Sequence, residues 1–178
     1  MKLDDEKGKY GDPTDGGITD TASFDQWFSD SLGTNESAGH TISLQRDDDG
    51  IYEYMTNDFY PIDNRLIGNE GDDHNNFFTY TISASFTYNE CTSQFFEFAS
   101  NDDAWVYVDN SLVIDSGGAG TTQSQYVNLD RLGLEEGNVY ALYFFFAHRR
   151  DAIESLFHMR TNIQLNTGEL PAITGFYD

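Results

Sequence analysis

Phe77-Phe78-Thr79-Tyr80-Thr81-Ile82-Ser83-Ala84-Ser85-Phe86-Thr87-Tyr88 alternates hydroxyl-bearing and apolar side chains along its whole length. Thr79, Thr81, Ser83, Ser85 and Thr87 fall on one side; Phe78, Tyr80, Ile82, Ala84, Phe86 and Tyr88 fall on the other. Successive side chains of a strand point to opposite faces, so this stretch predicts one long strand with a single apolar face. Shorter candidates surround it: Ile51–Met55, Phe95–Phe98, Trp105–Tyr107, Leu112–Ile114, Tyr126–Leu129 and Leu156–Leu165. Asp109-Asn110 between two of them suits a two-residue hairpin turn. Val139–Ala147 is almost entirely apolar, which predicts a strand buried on both faces. The only helical spacing is Phe24, Trp27 and Phe28, at i, i+3 and i+4, which predicts one short helix over 24–31 capped by Ser23. Strands every 8–12 residues or so, without long helices, indicate an all-β antiparallel sandwich or barrel.

The apolar pattern spans residues 23–166. Residues 1–22 are polar and turn-rich, with five Asp, and read as a leader or linker; 167–178 read as a C-terminal tail. The chain of 178 residues carries 31 acidic against 9 basic side chains, a formal charge of −22. It has no basic patch to neutralise phosphates, so nucleic acid is excluded, and anionic membrane surfaces are disfavoured. No apolar run is long enough for membrane insertion. Aromatic residues make up 15%, too many for an unfolded solvating chain. The acidity is dominated by Asp, 21 against 10 Glu. Asp favours loops and hard-cation sites over helix interiors. The plainer reading is a solubility surface. The single Cys91, near Tyr88 and Phe95, reads as a small apolar filler. No apolar secretory segment follows Met1, so an exported form is expected to be an excised piece.

Ser100-Asn101-Asp102-Asp103-Ala104-Trp105 lies between two candidate strands. Adjacent carboxylates on a strand diverge, and they reach one ion only if the backbone bends sharply, as a non-proline cis peptide would bend it. Two carboxylates with loop carbonyls would then suit Ca²⁺, which takes about 6–8 oxygen ligands. An acidic turn is the alternative. Asp115-Ser116-Gly117-Gly118 is a glycine loop whose carbonyls can turn inward, or a bare connection. His148-Arg149-Arg150-Asp151 ends the doubly buried strand; its guanidinium groups suit sugar hydroxyls or a salt bridge to the acidic surface. His74-Asn75, after Asp72-Asp73, suits a ligand groove or turn chemistry. Asp47-Asp48-Asp49-Gly50 fails the EF-hand pattern and reads as a turn. The four His are scattered, and no nucleophile elbow, zinc or phosphate-loop motif occurs. No catalytic residues are therefore expected.

The run Phe98 to Gly118, with its Asn101-Asp102-Asp103 and Val108-Asp109-Asn110, resembles the core of fibro-slime domains, in the superfamily of the anthrax protective antigen domain. Phe24-x-x-Trp27-Phe28, Phe59-Tyr60-Pro61, His74-Asn75, Phe145-Phe146-Ala147 and Arg149 extend the likeness over about 24–163. The resemblance implies an antiparallel β-sandwich and a calcium-dependent, carbohydrate-binding, lectin-like adhesin module. In the lectin members two adjacent Asp joined by a cis peptide hold Ca²⁺, and the ion binds sugar hydroxyls. Carried over, this makes Asp102 and Asp103 metal ligands with Asn101, Asp115 and Gly117 assisting, and Asn101-Asp102 or Asp102-Asp103 the cis pair. His74, Asn75, Gly118, His148, Arg149 and Arg150 are the expected ligand contacts. Family members usually have Glu where His148 stands. Glycans of a cell surface or matrix are the implied partners, and a larger secreted or cell-surface protein the implied context. A structural or protein-interaction module, or an accessory domain of a glycoside hydrolase, is the alternative.

Overall fold

The computed structural model describes residues 24, 26–30, 35–69, 72–117, 121–149 and 154–168. Nine strands dominate: β1 (Gln45–Arg46), β2 (Tyr52–Thr56), β3 (Phe77–Thr87), β4 (Phe95–Ser100), β5 (Asp103–Val108), β6 (Ser111–Ser116), β7 (Gln123–Asn128), β8 (Val139–Arg149) and β9 (Phe157–Thr161). All pair antiparallel. They form a five-stranded sheet ordered β1-β2-β9-β4-β7 and a four-stranded sheet ordered β3-β8-β5-β6. The expected all-β sandwich is present. No helix among the described residues is long and apolar enough to cross a membrane. Of the helix expected over 24–31, Phe24 is helical and residues 26–28 turn, closed by the Trp27 N–H donating to the Phe24 carbonyl at 3.0 Å; the remainder lies outside the described residues.

The apolar alternation of β3 places Phe78 and Phe86 in the core between the sheets, with Tyr80 and Ile82 packed against it. Phe96 and Phe98 of β4, Phe144 and Phe146 of β8, and Phe157 and Met159 of β9 meet them there. Phe157 is the hub: its ring lies 4.2 Å from Phe59, 4.9 Å from Phe98 and 5.3 Å from Phe146, centroid to centroid. β8 runs between β3 and β5, which explains its apolar sequence: its second face is also covered. There Ala147 joins Phe24, Trp105 and Tyr107 in a separate cluster, packed over by Trp27 and Phe28. A central strand with both faces covered has no room for alternation.

The turns follow their residue types. Asp109 and Asn110 adopt φ of 48° and 65°, as a two-residue type I′ hairpin requires at both positions. The Asp47–Gly50 segment is a turn: Gly50 has φ 85° and its N–H donates to the Asp47 carbonyl at 3.2 Å, while Asp47 Oδ1 accepts from Ile51 N–H at 2.8 Å. Cys91 is a correction. It is exposed, at φ 61°, rather than filling the core. Tyr88 follows the end of β3 and Phe95 begins β4, and the turn between those strands carries Cys91 outward.

Candidate functional site

The β4–β5 turn brings Asn101, Asp102 and Asp103 to the end of β8, where His148 and Arg149 lie. All of the peptide bonds there are trans. The two carboxylates diverge. His148 Nδ1 donates to Asp102 Oδ2 at 2.6 Å, and both side chains are buried. A carboxylate only accepts, so Nδ1 carries the proton. His148 sits opposite Phe78 in register, on the inter-sheet face, with ring centroids 5.3 Å apart. Asp103 instead pairs with Arg149 on the outer face, the side of Ala147 and Trp105. Arg149 Nε donates to Asp103 Oδ2, and Arg149 Nη2 reaches Asp103 Oδ1 at 3.4 Å.

The period of two imposes this separation. Asp102 and Asp103 are consecutive, as are His148 and Arg149, so each acid meets the base on its own face. Asn101 is occupied as well: Nδ2 donates to the Glu154 carbonyl at 2.7 Å, and Oδ1 accepts from Leu156 N–H at 3.0 Å. Asp115 lies across from Trp105, hence on the outer face, with its Oδ1 buried and without a hydrogen-bond partner. Asp102 Oδ1 is equally unpartnered, but on the other side of the sheet. In this structure the side chains of Asn101, Asp102, Asp103 and Asp115 do not converge on one point, and no cis peptide joins them. Among the described residues no three His, Cys, Asp or Glu side chains group as metal ligands. The side chains so arranged do not fit one shared Ca²⁺. Gly117 is buried at the end of β6. Gly118 and Arg150 lie outside the described residues.

His74 and Asn75 organise a loop. His74 Nδ1 donates to Asp63 Oδ2 at 2.6 Å, and the ring stacks on Tyr60 at 4.0 Å. Asp63 Oδ1 accepts from Asn75 N–H at 2.8 Å, Asn75 Nδ2 donates to the Gly68 carbonyl at 2.7 Å, and Asn75 Oδ1 accepts from Phe77 N–H at 3.1 Å. This ties residues 60–68 to the start of β3. The Asp63 hydrogen bond raises the His74 pKa above 6.5, against a smaller opposing effect of burial. A raised folded-state pKa stabilises in full below the unfolded value and is lost as pH rises through the folded value. The thermal midpoint of the wild type should exceed that of His74→Gln below pH 6.5, with the gap closing as pH rises past the raised pKa. A gap that holds constant with pH, measured by calorimetry, would contradict the pairing.

A second feature lies at the free edge of the four-stranded sheet. Residues 26–30 and 35–40 and the loop near Pro61–Ile67 wall a groove of about 600 Å³ whose floor is the first half of β3. Asn75, His148 and Arg149 also line it, so the groove opens beside the Asp102–Asp103 end of the sandwich. Asp30, Glu36, Phe77 and Tyr80 line it too. Sequence reasoning passed these four over, because they come from segments about 40 residues apart and no local pattern joins them.

A family model described as the PA14 domain matches residues 52–173. This chain belongs to the PA14 domain family. The match takes in β2 to β9 and both ion pairs of the Asp102–Asp103 end. PA14 domains are carbohydrate-binding and adhesin-type modules. Three proteins of Dictyostelium discoideum are similar to this PA14 chain. Protein psiC is 36% identical over 165 residues, which is 87% of this chain and 31% of psiC. Protein psiD is 34% identical over 154 residues, 82% of this chain and 30% of psiD. Protein psiQ is 32% identical over 157 residues, 80% of this chain and 16% of psiQ. The chain thus spans at most about a third of the length of these relatives. No solved structure matches this chain.

Proposed function

We propose that this PA14 domain is a non-catalytic glycan-binding module of a larger secreted or cell-surface protein. The observation that carries this reading is the family match over residues 52–173, joined to a sandwich whose β3 edge forms a groove lined by aromatic and hydrogen-bonding groups. The larger context rests on the small share of each relative that the chain spans. A single open groove gives weak binding, so adhesion would draw its strength from several copies held together.

The test is an array of printed cell-surface and matrix glycans, probed with the whole chain in millimolar calcium and in EDTA. Reproducible binding to a defined group of glycans is expected. An array silent in both conditions would refute the glycan reading and leave a protein-interaction module. A signal confined to the calcium arm would return the ion to Asn101, Asp102, Asp103, Asp115 and Gly117, with the loop rearranged around it.

A further inference from the structure

We infer that the groove between residues 26–30 and 35–40 and the edge of β3 is the saccharide site, and that it works without a metal ion. This rests on the glycan-binding reading and adds to it a place and a mechanism.

The first observation concerns the backbone. Among the described residues β3 pairs as a strand only with β8, and its other edge carries one bridge, from Ser85 to Asn166. Ser85 shows which residues face that edge: its N–H and C=O bond to Asn166 at 2.7 and 2.8 Å, away from β8. In an antiparallel pair the outward groups recur at every second residue. Thr79, Thr81 and Ser83 therefore present their N–H and C=O groups outward, and among the described residues no backbone bond takes them up. Such an edge offers a row of donors and acceptors to whatever lies against it.

The walls are held in place before any ligand arrives. Thr79 Oγ1 donates to the Trp27 carbonyl at 2.7 Å, and Tyr80 Oη donates to the His40 carbonyl at 3.2 Å. A volume of about 600 Å³ lies within the usual range for small-ligand sites. Trp27 is half-buried, and Phe77 keeps 47% of its surface exposed at the rim. Phe77 thus offers an apolar face at the mouth of the groove.

Charge selects the ligand class. Asp30 and Glu36 line the groove as exposed carboxylates, which only accept hydrogen bonds. The one guanidinium in the lining, Arg149, is committed to Asp103. An anionic ligand such as a phosphate or sulfate would meet net negative charge. A neutral sugar meets what it needs: aromatic faces for its C–H side, carboxylates for its hydroxyl protons, and edge amides for its oxygens. None of these contacts uses an ion.

The experiment probes the same printed glycans with the whole chain in EDTA, comparing wild type with Phe77→Ala and with Asp30→Asn/Glu36→Gln. These residues are exposed, and thermal unfolding is run on each variant to show that it folds as the wild type does. Binding should persist in EDTA and fall about tenfold in either variant, the scale of one aromatic contact or one pair of hydrogen bonds. Amide NMR on the folded chain, titrated with the best-bound oligosaccharide, should shift Thr79 and Thr81 in the wild type. Loss of binding in EDTA would overturn metal independence. Full binding by both variants would overturn the groove while leaving the glycan reading intact. A wild type that binds no glycan in either condition would sink the reading on which the groove depends. Shifts at Thr79 and Thr81 with a lysine-rich extended peptide, and none with any sugar, would assign the edge to a peptide and overturn the proposal.

Discussion

Asp103→Ala should lower the unfolding free energy by about 3–5 kcal/mol, because it takes from the buried Arg149 guanidinium the carboxylate that faces it. Arg149 is only 7% exposed, and Asp103 fully buried. Against a total stability of about 5–15 kcal/mol for a domain, this is a large fraction. Denaturant unfolding reads it as a lower midpoint at unchanged slope. The double variant Asp103→Leu/Arg149→Met supplies the contrast. Removing both charges abolishes the desolvation cost as well as the attraction, so it should recover most of the lost stability. A single-variant loss below about 1 kcal/mol, the range of exposed pairs, would mean that the pair is open to solvent.

The second large effect is expected at Phe157, which is fully buried. Phe157→Ala removes a ring that contacts Phe59, Phe98, Phe144 and Phe146, drawn from both sheets and from the loop before β3. The lost transfer energy and the residual cavity together should cost about 3–5 kcal/mol. Phe157→Leu keeps most of the volume and should cost clearly less. Equal losses for the two would show that edge-to-face geometry, rather than filled volume, dominates at this point. A loss under about 1 kcal/mol for Phe157→Ala would mean that the core closes around the gap.

Strand content was legible wherever a strand has one wet face or none. β3 declares itself by alternation, and β8 by an unbroken apolar run. The Asp109-Asn110 turn was legible because few residue pairs accept positive φ at both positions. The exposure of Cys91 is not legible in the sequence, because neighbours along the chain need not be neighbours in space. The candidate metal residues Asp102 and Asp103 lie at one end of the sandwich, and alternation along the strand sends their side chains to opposite faces. The one sequence signal was His148, a base where the resembling family has Glu; a base facing Asp102 takes up the carboxylate that an ion would need.

The sequence by itself determined the longer strands, the Asp109-Asn110 turn and the family, since each depends on a few adjacent side chains and their alternation. Only the tertiary structure decided that β9 lies between β2 and β4, that Asp102 and Asp103 face opposite sides toward His148 and Arg149, and that residues 26–30 and 35–40 wall a groove at the β3 edge. These are pairings across 46 residues or more in the ion pairs, and across 40 in the bond from Tyr80 to His40. Strand register fixes such contacts, and register is set by how whole faces pack together, which no single segment encodes.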